Sequence, residues 1–182
     1  MKKVIIALSG LTTLCPMVAQ EVQRDSLRNI QLEEVVISAT RAKQTTPVSF
    51  SDIPKEVIKK NNFGRDIPYI IALTPSVTIT SDAGTGIGYT AFRVRGTDVN
   101  RINVTINGIP YNDPESHGAF FVDLPDFASS LSSMQIQRGV GTSTNGAAAF
   151  GASVNMQTDN INTVPYAEIG SSVGSFNTVK TT

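Results

Sequence analysis

The chain has one cysteine, Cys15, and one histidine, His117, in 182 residues. A lone cysteine excludes a disulfide framework, and one histidine beside it makes a self-contained zinc site untenable. Neither sign of charge is in excess: Lys+Arg and Asp+Glu number 15 each. There is therefore no basic field to attract nucleic acid. Long apolar runs are also missing. Val4 to Leu14 is too short for a stable membrane anchor, and no later segment is long and apolar enough for a membrane helix. No nucleophile motif is recognisable, and the neighbouring acids Asp113 and Glu115 stand in a polar loop where solvation explains them. An enzyme is not expected, and no cofactor is implied.

What is present begins with a leader. Lys2 and Lys3 precede the apolar stretch, and Met17-Val18-Ala19 leads to Gln20. Residues 1–20 read as a secretory signal peptide cut beside Ala19 or Gln20. Leu14 is too large for the position before a lipidated Cys15. Residues 21–45 form a polar, flexible leader that contains Leu32-Glu33-Glu34-Val35-Val36-Ile37-Ser38-Ala39-Thr40. Its β-branched centre favours an extended chain. Two readings stay open from pattern alone: the first strand of the fold, or a peptide offered to another protein's sheet edge.

Residues 46–160 form the main domain. Val48 to Asn62 reads as strand then helix, capped by Ser51 or Asp52, with Pro54 in the first turn and Ile53, Val57 and Ile58 on one apolar face. Asp66 caps a second short helix with Pro68 in its first turn, and Pro75 stops it. Val77 to Thr80 is a short strand. Ser81 to Tyr89 is a glycine-rich loop without dinucleotide-binding spacing. Thr90 to Gly96 reads as a strand that puts Arg93 and Arg95 on one face, a repulsive pair unless solvent or acids meet it. Arg101 to Ile106 is a strand turned by Asn107-Gly108. Asn112 to Gly118 is a polar loop around His117. Pro125 to Ser133 reads as a helix capped by Asp123, with Phe127, Ala128 and Leu131 inward. Met134 to Thr158 then gives a strand, a loop with Gly139, Gly141, Gly146 and Gly151, and a strand from Ala152 to Met156. Walker-type spacing fails there, because Ala147 stands where Lys is needed.

The order EEVVISAT, a helix leading into TPSV, FRVRG, INVTINGIPYNDP and LPDFASSLSSMQIQRGVGTSTNGAAAFGASVNMQT resembles the plug domain of TonB-dependent outer-membrane receptors. The match runs from about Glu33 to Thr158, and the last block is most similar to receptors of Bacteroides-type bacteria. The resemblance implies an α+β fold with a small mixed sheet of about four strands and short helices, seated in a transmembrane β-barrel. It implies that Glu34, Val35, Val36, Ile37, Ser38, Ala39 and Thr40 form the TonB box, which pairs with the periplasmic domain of TonB. Arg93, Arg95 and Arg138 are then plug–barrel contacts. Asp82, Thr85, Tyr89, Tyr111, Asn112, Asp113 and His117 lie on ligand-facing loops. The ligand is a siderophore, cobalamin or glycan.

Two departures stand out. Phe150-Gly151 and Ala152-Ser153 replace the family's usual Tyr-Gly and Gly-Gly pairs. Residues 161–182 read as the start of a β-barrel, with Tyr166 to Phe176 as its first strand, and one strand cannot close a barrel. The expectation is therefore the plug portion of an importer at the outer membrane. The alternative is a truncated periplasmic plug that binds only TonB, or an inactive fragment.

Overall fold

The computed structural model describes residues 41–141, 149–162, 164–175 and 177–182, and the account here is of those. Strand β1 spans Ser49–Pro54 and leads into helix α1, Lys55–Asn61. A one-turn helix α2, Ile67–Ile70, precedes strands β2, Val77–Ser81, and β3, Thr90–Val94. Strands β4, Ile102–Ile106, and β5, Ile109–Pro110, follow. Strand β6 is Leu131–Arg138 and β7 is Ala152–Thr158. The chain ends in two short strands, β8, Ser171–Val173, and β9, Val179–Thr181.

The main sheet has five strands in the order β1-β6-β7-β4-β5, in keeping with the small sheet of about four strands that the resemblance implies. Only β4 and β7 pair in parallel, so the sheet is mixed as expected. Strands β2 and β3 form a separate antiparallel pair. Asn107 and Gly108 both have positive φ, 51° and 80°, which is the geometry of the tight hairpin turn joining β4 to β5.

Register sorts the two faces of the sheet. Ile53, Met134 and Met156 share one row, and Ile136, Val154 and Val104 the next. These side chains are buried against Ile58 of α1, Ile67 and Ile70 of α2, Phe92 and Val94 of β3, and Phe121. The opposite face carries the row Asp52, Gln135, Asn155 and Thr105, then Phe50, Gln137, Ser153 and Asn103. Gln135, Gln137, Ser153, Asn155, Asn103 and Thr105 are all buried. The links Gln137–Gln135, Gln135–Asp52 and Asn155–Thr105 make this second face a polar network rather than a solvated one, although the buried Ser153 hydroxyl has no hydrogen-bond partner among the described residues.

Four local expectations are corrected. Ser51 and Asp52 do not cap a helix, because β1 continues to Pro54 and the helix starts at Lys55. The extended residues are held there by their ladder with β6. The helix expected over Pro125 to Ser133 shrinks to a 3-10 turn at Phe127–Ser130, because Asp126 sits in the left-handed region (φ 49°) and Leu131 already begins β6. The strand expected over Thr90 to Gly96 ends at Val94, since Arg95 and Gly96 both take positive φ. Finally, Tyr166 to Phe176 is not one long strand: its described residues include β8, which folds back antiparallel on β9.

That terminal hairpin is strapped to the domain by charge. Lys180 donates to Asp126 Oδ1 at 2.7 Å, and Lys59 pairs with Glu168. Just before the hairpin, Lys55 pairs with Asp159 at 2.7 Å. Burial pushes the Asp126 carboxyl up, but hydrogen bonds from Lys180, Ser129 and Asn62 outweigh it and hold the carboxyl below its ordinary range. A depressed folded pKa means the contribution is present above the unfolded value of about 4 and is lost as pH falls through the folded one. Amide protection of β9 should therefore drop on acidification below about pH 4, ahead of β6 and β7. Hydrogen exchange read strand by strand checks this; equal loss in all three would refute it.

Candidate functional site

The candidate TonB box, Glu34 to Thr40, lies outside the described residues. The two residues that follow it are described, and they are held tightly. Arg41 donates from Nε to Asn155 Oδ1 (2.9 Å), with longer bonds from Nη2 to the carbonyls of Ser133 and Asn155. Burial lowers the Arg41 pKa, and the Asp52 carboxylate works against that shift. Ala42 is paired by a side chain as though by a strand: its N–H donates to Gln135 Oε1 (2.8 Å) and its carbonyl accepts from Gln135 Nε2 (3.0 Å). Beyond Ala42, Lys43 and Thr46 close a small turn that delivers the chain to β1.

The three candidate arginines occupy different settings. Arg93 is on the exposed side of β3 and pairs with Asp98 at 3.0 Å. Arg95 has left the strand, and its guanidinium lies beside Gly139. The repulsion expected of two arginines on one strand face is therefore relieved by backbone geometry and by Asp98. Arg138, at the end of β6, donates to the hydroxyls of Ser49 and Ser51 and to the carbonyl of Phe50, which clamps β1. A fourth arginine, Arg101, sits 5.8 Å from the Phe150 ring centroid and was not singled out from sequence. A cation and a ring this far apart in the chain give no local signal.

The candidate loops are built separately. In the loop after β2, Asp82 N–H donates to Tyr89 O, and Thr85 bonds Ile87. Asp66 organises it. Its side chain does not cap α2, as the sequence suggested, but accepts from Gly88 N (3.0 Å) and Thr90 Oγ1 (2.8 Å). Tyr89 is exposed. In the second loop Asn112 ties the loop to β4. Its Oδ1 accepts from Val104 N, and its Nδ2 donates to the carbonyls of Ile102 and His117. Asp113 accepts from Ser116 N, Ser116 Oγ and Glu115 N. The bonds from Ser116 hold its carboxyl below the ordinary range. His117 adopts positive φ at 57°, and the Tyr111 hydroxyl donates to Phe120 O. Asn112, Asp113 and His117 are thus brought together by the backbone, while among the described residues no hydrogen bond or ion pair joins them to Asp82, Thr85 or Tyr89.

A cleft between α1 and the terminal hairpin is lined by Lys55, Lys59 and Lys180. Each of these lysines already has a carboxylate partner. Among the described residues no cluster of three metal-ligating side chains exists.

The fold is a small α+β domain whose mixed sheet buries an apolar face on one side and a polar face on the other. Residues 42–153 match the family model of the TonB-dependent receptor plug domain, and the chain belongs to that family. It is a family of receptors, not of enzymes. No curated protein sequence matches the chain. Among solved structures, the ferric yersiniabactin uptake receptor FyuA from Yersinia pestis is 14% identical, with a TM-score of 0.54 over 74% of this chain and 20% of that one. The alcaligin outer-membrane receptor FauA from Bordetella pertussis is 23% identical, with a TM-score of 0.53 over 77% and 23%. The chain thus spans about a quarter or less of the length of these receptors, and at such identities the likeness is one of fold.

Proposed function

We propose that the chain is the plug portion of a TonB-dependent outer-membrane receptor that imports a scarce nutrient, either a siderophore, cobalamin or a glycan. The observation that carries this reading is positional. The plug-family match starts at residue 42, two residues after Thr40, the end of the segment Glu34 to Thr40 whose β-branched centre favours an extended chain. In this reading that segment adds as a strand to the periplasmic domain of TonB, with main-chain hydrogen bonds providing affinity. The loops around Tyr89 and around Asn112 to His117 meet the ligand. Arg93, Arg95 and Arg138 face acids of the barrel wall. The Arg93–Asp98 pair is well exposed and worth at most about 1 kcal/mol, so Arg93 can exchange Asp98 for a barrel carboxylate at little cost.

Deleting Val35 to Ile37 in the full receptor tests the reading. Energised uptake should be abolished while ligand binding at the cell surface is retained. Uptake that survives the deletion would remove the TonB-box assignment.

A further inference from the structure

We infer that Arg41–Ala42 is a latch that delivers any pull on the segment before it to one cross-strand row of the sheet: Asp52, Gln135, Asn155 and Thr105. The inference rests on the reading that Glu34 to Thr40 is the segment pulled.

The row is a matter of register. Asp52 of β1 stands opposite Gln135 of β6, Gln135 opposite Asn155 of β7, and Asn155 opposite Thr105 of β4. Arg41 and Ala42 grip its two middle members. The Gln135 amide has all four hydrogen-bonding valences engaged. Its oxygen accepts from Ala42 N and from Gln137 Nε2, and its nitrogen donates to Ala42 O and to Asp52 Oδ1 (2.7 Å). Asn155 accepts from Arg41 and passes the connection on, donating from Nδ2 to Thr105 Oγ1 (2.9 Å). Two consecutive residues therefore touch β6 and β7 directly, and reach β1 and β4 one hydrogen bond further on.

Gln135 and Asn155 are 2% and 4% exposed. Lifting Ala42 away leaves two valences of a buried amide unmade, and an orphaned buried polar group is costly relative to a bond exchanged with water. The latch thus resists until its bonds fail, and when they fail the polar face is left unsatisfied at the middle of the sheet. Gln135 and Asn155 are positioning residues in this scheme, because they act through the chain segment they hold.

The test uses the full chain and needs no TonB. In amide exchange, Gln135→Ala should speed exchange at Ala42 by about tenfold or more, the loss expected for two hydrogen bonds. Arg41→Ala, outside the sheet, should raise it in the same direction while β6 and β7 amides keep their protection; it serves if Gln135→Ala does not fold. In single-molecule pulling between residue 34 and Thr182, both variants should lose or weaken the first rupture and keep the later ones. Unchanged exchange at Ala42 together with an unchanged first rupture would overturn the latch. Both readouts are independent of import, so a failed uptake assignment and a failed latch are told apart.

Discussion

Phe92→Ala should lower the unfolding free energy by about 3–5 kcal/mol, the range for removing a fully buried aromatic side chain. Phe92 is 0% exposed and lies opposite Ile79 in the β2–β3 pair. Its ring centroid is 5.6 Å from that of Phe121, with the planes tilted by 47°. Such an aromatic pair adds to plain area burial. The position matters as much as the volume. A two-stranded ribbon is marginal alone, so β2 and β3 depend on the side chains that dock them on the main core. Phe92 and Val94 are the fully buried ones in β3. Urea unfolding of the variant and the parent, with equal slopes, measures the effect. Leu73→Ala is the control: Leu73 is 87% exposed, and its replacement should stay within about 0.5 kcal/mol. A loss below about 1 kcal/mol for Phe92→Ala would mean that the β2–β3 pair contributes little to the cooperative unit.

Gly151→Ala should cost about 3 kcal/mol, the upper part of the range for overpacking. The reason is a close approach. A Cβ at Gly151 would stand 2.0 Å from Thr97 Oγ1, 2.7 Å from its Cβ and 3.0 Å from its Cγ2. Neither side can readily yield. Thr97 Oγ1 donates to Val94 O at 2.7 Å. The Gly151 backbone is fixed from both directions, donating to Arg101 O and accepting from Gly139 N, each at 2.8 Å. The double variant Gly151→Ala with Thr97→Gly should be more stable than Gly151→Ala alone. A double-mutant cycle in chemical denaturation reads that coupling, expected to exceed about 0.5 kcal/mol for residues in contact. Additive effects would show that the backbone shifts instead.

Gly151 also shows what was legible in the sequence. Its role as a place where a side chain would block close approach follows from a glycine closing a small-residue loop, but its neighbour Thr97 does not. Strands β4 and β7 stand close to where alternation and the Asn107-Gly108 turn put them, because each buries one side against the core, whereas β3 ends two residues early and β6 starts three residues before Met134. The segment 125–133 misled because Phe127, Ala128 and Leu131 have helical spacing, whereas Asp126 breaks the helix with a positive φ that no pattern announces. Alternation puts Gln135 and Gln137 on the side of the strand opposite Met134 and Ile136. Both are buried: Gln135 is paired by Ala42, a distant segment of chain, and Gln137 donates to Gln135, and the pairing with Ala42 is invisible to a local window. Asp66 had the residue type and position of a cap, yet its carboxylate turns to the glycine-rich loop, where two donors outcompete the helix end. Of the candidate site, the second loop was legible as a unit. The separate settings of Arg93, Arg95 and Arg138 were not, since they depend on where β3 ends and on serines of β1.

The strand order has a consequence for the time course of folding. Among the described residues β1 occupies the sheet's edge and its one ladder is with β6, pairing Ser49 with Arg138 and Pro54 with Ser133. Nearly the whole domain separates those partners, and β4 likewise waits for β7 to form its parallel ladder. Loop closure has to be met before such pairings return anything, which places domains of this kind among the slower single-domain folders, on the order of milliseconds to seconds. A chain synthesised from its N-terminus presents β1 well before β6, its partner. The first of the described strands is completed only when the last third of the domain has arrived.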